Sequence, residues 1–261
     1  MTNAAHRPPI STRLYVEESL TAGQTLGLDH NRAHYLRAVL RLNRGAHVAV
    51  FNAEHGEWRA EIEGLGKGWA SLALLEQRRL PTPEPDLWLV FAPIKRARLD
   101  FMVEKATELG ASVLQPLFTQ HTDVSRVNTD RLAANAKEAA EQCERLSVPE
   151  VREPVGFRDL LDNWPAERRL LLCAESGRAQ PIGERLQREG KTPTTQPWAV
   201  VTGPEGGFHP SELDALAKLP FVAPVGLGPR ILRADTAAIA ALACWQAWLG
   251  DGRNDPPFRS G

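Results

Sequence analysis

Hydrophobic and polar residues alternate through most of the first eighty residues, and this alternation predicts β-structure. Four segments show the period of two that is typical of half-buried strands: residues 11–16, 46–52, 57–65 and 69–76. Residues 29–45 follow a helical period instead, with Leu36, Val39 and Leu40 as the apolar stripe. Asp29 is placed to cap the first turn of that helix. We therefore predict a small β-barrel that carries one helix.

The pattern changes after residue 86, where apolar runs alternate with amphipathic helical segments. The predicted strands are residues 87–94, 112–118, 169–175, 197–203 and 221–228. The predicted helices are residues 98–110, 131–146, 181–190, 211–219 and 234–250. Alternation of this kind is typical of an α/β domain with a mostly parallel sheet covered by helices.

A proline-rich stretch, "RRLPTPEPD", separates the two patterns. Pro81, Pro83 and Pro85 disfavour regular structure and favour an extended spacer. The predicted division is a barrel domain at 1–80, a linker at 81–86, an α/β domain at 87–250 and a tail at 251–261.

Composition and charge narrow the class of protein without naming a function. The chain has 261 residues, a net charge of −1 and three cysteines that form no CxxC pair. A disulfide framework is therefore not expected, and a reducing cytoplasm is the natural location. The first ten residues lack a long apolar core, and no run approaches the roughly 20 apolar residues of a membrane helix. We expect neither a secretory signal nor a membrane span.

Two glycine-bearing turns follow consecutive predicted strands and are the strongest candidates for a binding site. They are "TGPEGGF" at 202–208 and "GLGPRILRADT" at 226–236. Loops at the carboxyl ends of parallel strands line one crevice, and glycines let the backbone approach a ligand closely. Neither turn has the spacing of a phosphate loop or of a dinucleotide fingerprint. The alternative is that these glycines only make tight turns.

Charged residues beside these turns are candidates for chemistry. Arg230 and Arg233 lie in an otherwise apolar turn, and at least one of them is expected to contact an anionic or polar substrate. Asp235 is open to two readings, as an N-cap of the helix that follows or as a catalytic carboxylate. The seven histidines show no metal-binding spacing, and we expect no metal.

Two further basic clusters are candidates for contacts with RNA. Lys95, Arg96 and Arg98 stand at a helix start, where backbone N–H groups and cations can hold phosphate together. Arg32, Arg37 and Arg41 place positive charge on the helix of the first domain. In both places a solvated basic surface is the alternative.

Taken together, these motifs resemble the RsmE family of small-subunit ribosomal RNA methyltransferases, in the SPOUT superfamily. The resemblance rests mainly on "VTGPEGGFHPSEL" followed by "VGLGPRILRADTA". "KRARLDFMVEKATELGASVLQPLFTQHT" and "NAKEAAEQCERLSVPEV" are similar to the middle motifs of that family, and the first domain is similar to its PUA-like barrel. The resemblance to this family implies a parallel sheet with helices on both faces, a deep trefoil knot and a homodimer. It also implies S-adenosyl-L-methionine as cofactor and N3 of uridine 1498 in 16S rRNA of the small ribosomal subunit as target.

The resemblance also implies roles for individual residues. The cofactor would be bound by Thr202, Gly203, Pro204, Glu205, Gly206, Gly207, Leu227, Gly228, Pro229, Ile231 and Leu232. We assign stabilisation of the reacting base to Arg233 and binding of phosphate or of the cofactor carboxylate to Arg230, and the two assignments are interchangeable. Glu205 and Asp235 are the candidate proton acceptors.

The chain departs from the family pattern in three places. Thr119, Gln120 and His121 replace a Ser-Glu-Arg run, Asp235 replaces a glutamate, and Glu144 stands where a glycine is usual. Two other functions stay open on sequence grounds: a SPOUT methyltransferase with a different RNA target, and a non-catalytic RNA-binding factor of ribosome assembly.

Overall fold

The computed structural model describes residues 8–174, 179–190 and 195–254. Glu175, the last residue of the predicted strand 169–175, and the last seven residues of the predicted tail lie outside this part of the chain. The described residues form two compact units. The first takes in the chain up to Pro83 together with Ala140–Ser147, and the second takes in Glu84–Ala139 and the chain from Val148 onward.

The first unit is built on a five-stranded sheet. Its strands are β1 (Ile10–Tyr15), β2 (Thr25–Leu28), β3 (His47–Asn52), β4 (Gly56–Gly66) and β5 (Trp69–Arg79), in the order β1-β3-β4-β5-β2. Strands β1 and β3 pair in parallel, and the other neighbours are antiparallel. The four strands predicted from alternation are confirmed. Strand β2 was missed, because its four residues are too short to establish a period.

The helix of the first unit is shorter than predicted. Helix α1 (His30–His34) is capped by Asp29, whose side chain accepts a hydrogen bond from the backbone N of Arg32 at 2.9 Å, as predicted. It continues as a π-helical turn over Tyr35–Val39, and Arg41 then adopts a left-handed φ of 55°. The wider turn rotates the apolar stripe, so Leu36 is buried while Val39 is 60 % exposed. Two predictions were therefore wrong: Val39 does not pack inward, and Arg41 does not lie on the helix.

The second unit contains a parallel sheet whose strands alternate with helices. The strands are β6 (Leu87–Phe91), β7 (Val113–Phe118), β8 (Glu150–Val151), β9 (Val155–Gly156), β10 (Arg169–Cys173), β11 (Gln180–Pro181), β12 (Trp198–Thr202) and β13 (Val222–Gly226). The helices are α2 (Arg96–Glu108), α3 (Thr129–Gln142), α4 (Phe157–Asp162), α5 (Ile182–Glu189), α6 (Pro210–Ala217) and α7 (Ala234–Trp248). The strand order is β11-β13-β10-β12-β6-β7-β8, with β9 also on β7, and every pairing is parallel.

Both faces of this sheet are buried, which explains the unbroken apolar runs of its strands. In β6, Leu89 packs in one core with residues of α2, α3, α5 and α7. Val90 points to the opposite face and packs with residues of α4 and α6. The predicted parallel sheet with helices on both faces is therefore confirmed. Within the described ranges, no helix is both long and apolar enough to cross a membrane.

Candidate active site

A cavity of about 450 Å³ opens at the carboxyl edge of the parallel sheet, where β10, β12 and β13 end. All the residues predicted to bind the cofactor line this cavity, and so do Arg230 and Arg233. Six lining residues were not predicted: Cys173, Ala174, Phe208, Leu213, Ala234 and Ala237. The two glycine turns thus form one site, and the role of each residue in it stays a prediction.

The strand between the two glycine turns supplies part of the cavity wall. Although β12 and β13 are neighbours in the predicted alternation, β10 lies between them in the sheet. Cys173 and Ala174, at its carboxyl end, therefore come to lie between the turns. Burial, with a smaller contribution from Cys244, raises the pKa of the Cys173 thiol to about 12. This thiol therefore stays protonated at neutral pH.

Two glycines leave open space on the cavity wall. Gly207 and Gly228 have left-handed φ values of 69° and 103°, and a Cβ built on either one would meet no atom within 4 Å. Gly203 has a different reason to be glycine, since its Cβ would lie 3.0 Å from the ring of Phe208. The backbone at Gly207 and Gly228 is therefore accessible to a ligand, whereas Gly203 permits close packing.

The two arginines of the second turn are exposed, and neither guanidinium has a hydrogen-bond or ion-pair partner among the described residues. Arg233 is the N-cap position of α7, and its carbonyl accepts a hydrogen bond from Ala237 N at 2.8 Å. Both side chains are thus available to a bound anion.

Asp235 does not cap α7, so the first of the two roles considered for it is wrong. The helix begins at Ala234, which places Asp235 inside its first turn rather than before it. The Oδ1 atom of Asp235 is buried and has no hydrogen-bond partner in the described part of the chain.

The basic start of α2 lies beside the first glycine turn. Lys95 is the N-cap position and Arg96 the first residue of α2, and both are exposed. The Nη1 atom of Arg98 is 4.0 Å from Oε1 of Glu205, and both side chains are more than a third exposed. Such a pair adds little stability, but it shows that this basic cluster adjoins the cavity.

The three arginines predicted to bind RNA in the first unit differ in their surroundings. Arg37, in the π-helical turn, and Arg41, after it, are exposed. Arg32 is half-buried, with its Nε atom 3.5 Å from Oδ2 of Asp29. Two of the three guanidinium groups therefore face solvent.

His121 is a site residue for which the sequence suggested no role. Its Nδ1 atom lies 3.2 Å from the carbonyl oxygens of both Gly206 and Gly207. The departure from the family pattern at this position was the only signal that pointed to it. No group of His, Cys, Asp and Glu side chains within the described residues has the arrangement of a metal site.

Family models match both parts of the chain. Residues 81–246 match the model of an RNA methyltransferase domain, and residues 28–73 match that of an RNA methyltransferase PUA domain.

Curated relatives carry the name ribosomal RNA small subunit methyltransferase E. The protein of Rickettsia conorii is 34 % identical over 233 residues, which is 88 % of this chain and 93 % of the relative. The protein of Synechocystis sp. is 35 % identical over 242 residues, which is 91 % of this chain and 78 % of the relative.

Solved structures show the same fold. A ribosomal RNA small subunit methyltransferase E from Neisseria gonorrhoeae bound to S-adenosyl methionine has a TM-score of 0.82 at 28 % identity, over 92 % of this chain and 98 % of that one. A putative methyltransferase from Legionella pneumophila in complex with the same cofactor has a TM-score of 0.79 at 28 % identity, over 92 % and 99 % of the two chains.

Proposed function

The chain belongs to the RNA methyltransferase family of ribosomal RNA small subunit methyltransferase E, and on this premise we propose its target atom, its site residues and its assembly. It is an S-adenosyl-L-methionine-dependent methyltransferase of small-subunit ribosomal RNA. The proposed target atom is N3 of a uridine, at position 1498 of 16S rRNA. The main support for the proposed site is that both glycine turns and two unpaired arginines line one cavity.

The cavity fits the cofactor in size and chemistry. A volume of about 450 Å³ lies within the range of roughly 300–1,000 Å³ of small-molecule sites. Open space at Gly207 and Gly228 lets a ligand reach backbone N–H and C=O groups, which suits an adenine edge and a ribose. Phe208 and Leu213 supply apolar lining. When bound, S-adenosyl-L-methionine supplies a methyl group on a positively charged sulfur.

The proposed roles of the residues follow from the chemistry of uridine N3. This atom lies on the Watson–Crick edge and carries a proton, so the base must be unpaired and the proton must leave. Arg233 would stabilise negative charge that develops on the base, and Arg230 would hold a phosphate or the cofactor carboxylate. Among the described residues Glu205 is the carboxylate that lines the cavity, and we assign it as the proton acceptor. Lys95, Arg96 and Arg98 would bind the RNA backbone beside it.

We also propose the wider organisation that the family resemblance implies. Residues 1–80 would be an RNA-binding domain, residues 87–250 the catalytic domain with its trefoil knot, and the protein would act in the cytoplasm as a homodimer.

The first test is incubation of the protein with S-adenosyl-L-methionine and small subunits that lack the modification. Digestion of the rRNA and mass spectrometry should reveal 3-methyluridine at one site. Arg233→Ala should lower kcat by about 100-fold or more, because it removes charge from the transition state. Arg188→Ala, which changes an exposed arginine of α5, is the matched control.

Two results would contradict the proposal. Methylation of another atom or another nucleotide would overturn the assignment of the target while leaving the cofactor site intact. Normal turnover by the Arg233→Ala variant would exclude the role assigned to this arginine.

A further inference from the structure

The imidazole of His121 contacts the backbone of the glycine turn that lines the cavity. Its Nδ1 atom is 3.2 Å from the carbonyl oxygen of Gly206 and 3.2 Å from that of Gly207. A carbonyl oxygen can only accept a hydrogen bond, so Nδ1 carries the proton and donates to both. The ring also meets His209 edge to face, with 5.6 Å between ring centroids.

His121 projects from a turn that is itself held in place. The backbone N of Thr122 donates to the carbonyl of Thr119 at 3.1 Å, and the N of Thr119 donates to Oγ1 of Thr122 at 3.0 Å. The N of Gln120 donates to Oε1 of Glu212 at 3.0 Å, which ties this turn to the first turn of α6. The imidazole therefore has a fixed base on the loop after β7.

The glycine turn that His121 contacts has little internal support. Between the end of β12 and the start of α6, the backbone hydrogen bond found within the turn runs from Gly207 N to the carbonyl of Pro204 at 2.9 Å. Gly206 and Gly207 have no side chains to pack, and glycine loses more conformational freedom on ordering than other residues do. A donor from outside the turn is thus well placed to fix these two peptide groups.

We propose that His121 is a positioning residue for the cofactor. By donating from Nδ1 to the carbonyls of Gly206 and Gly207, it holds the turn in its binding conformation before the ligand arrives. The entropy of ordering the turn is then spent on folding rather than on binding, which increases affinity. This inference rests on the proposed function, because it takes the cavity to be the S-adenosyl-L-methionine site.

Three substitutions separate the donor from the bulk of the side chain. His121→Ala removes the donor, His121→Asn places an amide N–H near the position of Nδ1, and His121→Asp has the same shape but only acceptors. Calorimetry with S-adenosyl-L-methionine should show the Kd rising about five- to tenfold for His121→Ala. His121→Asn should stay within about twofold of wild type, and His121→Asp should bind at least as weakly as the alanine variant.

Kinetics supplies a readout that a merely structural role would not move, and hydrogen exchange tests whether His121 holds the turn. His121→Ala should keep the kcat of wild type at saturating cofactor. Its KM for S-adenosyl-L-methionine should rise, as expected for lost ground-state binding. Without any ligand, amide exchange of the peptide that covers residues 203–208 should be faster in His121→Ala than in wild type. Asp123→Ala, an exposed change in the same loop, should match wild type in all three measurements.

The outcomes distinguish this inference from the proposed function. Unchanged exchange in His121→Ala would overturn the inference whether or not the cofactor binds. Faster exchange with an unchanged Kd would also overturn it, because the turn would then be held without effect on binding. A wild-type protein that does not bind S-adenosyl-L-methionine would overturn both. If wild type binds normally but His121→Asn binds as weakly as His121→Ala, the role of the Nδ1 donor alone would be overturned.

Discussion

Glu144 adopts a backbone conformation that suits glycine. Its φ of 64° lies in the left-handed region, two residues after α3 ends at Gln142. Side chains with a Cβ are strained there, and glycine is not. This conformation gives a physical reason for the usual glycine at this position, and it also ends the helix four residues before the predicted Leu146.

We expect Glu144→Gly to be more stable than Glu144→Ala by about 1 kcal/mol. Both variants remove the glutamate side chain and its contacts, and only glycine relieves the left-handed strain. Urea unfolding of the two variants, analysed by linear extrapolation, measures this difference directly.

The matched control is the same pair of substitutions at Glu138, an exposed position inside α3. There the order should reverse, with glycine less stable than alanine by about 1 kcal/mol, because the backbone is helical. Equal stability of the two variants at position 144 would show that the left-handed conformation costs nothing in solution.

Local sequence predicts some of these residue roles and not others. Asp29 could be identified as a cap because it immediately precedes a helical pattern. Asp235 also stands close to the start of a helical pattern, but α7 begins one residue earlier, at Ala234, so Asp235 lies inside its first turn. The contact of His121 with Gly206 joins residues far apart in the chain, so no local pattern reveals it.

At the scale of elements, the first turn of α6 depends on one buried carboxylate. Glu212 is 3 % exposed. Its Oε2 atom accepts a hydrogen bond from His209 N at 2.9 Å, and its Oε1 atom accepts one from Gln120 N at 3.0 Å. One side chain thus completes the cap of α6 and binds the loop after β7 to it.

Glu212→Ala should lower the free energy of unfolding by about 2–4 kcal/mol, since two backbone N–H groups lose a charged acceptor. Glu212→Gln keeps one acceptor oxygen and should lose less. Glu184→Ala, which removes an exposed carboxylate from the first turn of α5, should change stability by no more than about 0.5 kcal/mol. Equal effects at Glu212 and Glu184, measured by urea unfolding, would contradict this account.

The pattern of apolar residues was sufficient for long elements and failed for short ones. The predicted strands and helices of the second unit correspond to β6, β7, β10, β12 and β13 and to α2, α3, α5, α6 and α7. Three strands of two residues each and the six-residue α4 were missed, because such lengths hold no measurable period. The π-helical turn at Tyr35–Val39 also leaves no periodic signal of its own.

At the scale of the whole molecule, the site depends on strand order, which the sequence does not display. The glycine turns could be identified from their composition, and the carboxyl-edge rule predicted that they would lie together. The insertion of β10 between β12 and β13 is a long-range pairing that no local pattern encodes. For that reason, Cys173 and Ala174 were absent from the predicted cavity wall.

The position of Cys173 gives the fold a specific response to alkaline pH. Its pKa is raised from 9.0 to about 12 in the folded protein, mainly by burial. Between these values the thiol ionises in the unfolded chain and stays protonated in the folded one. The unfolded state then binds fewer protons, so stability is complete below pH 9 and falls as the pH rises toward 12.

We therefore expect Cys173→Ala to make the protein less sensitive to alkaline pH. Between pH 8 and pH 10, wild type should lose about 1.4 kcal/mol more of its free energy of unfolding than the variant does, from ionisation of this one thiol in the unfolded state. Urea unfolding at both pH values measures this loss of free energy. The contributions of ionisable groups that both proteins share cancel when the two losses are compared. Cys143→Ala, which removes a cysteine that does not line the cavity, is the control for the loss of a thiol as such. If wild type and Cys173→Ala lose stability in parallel, the Cys173 thiol is not shielded from water in the folded protein, and the cavity wall is more open than its packing indicates.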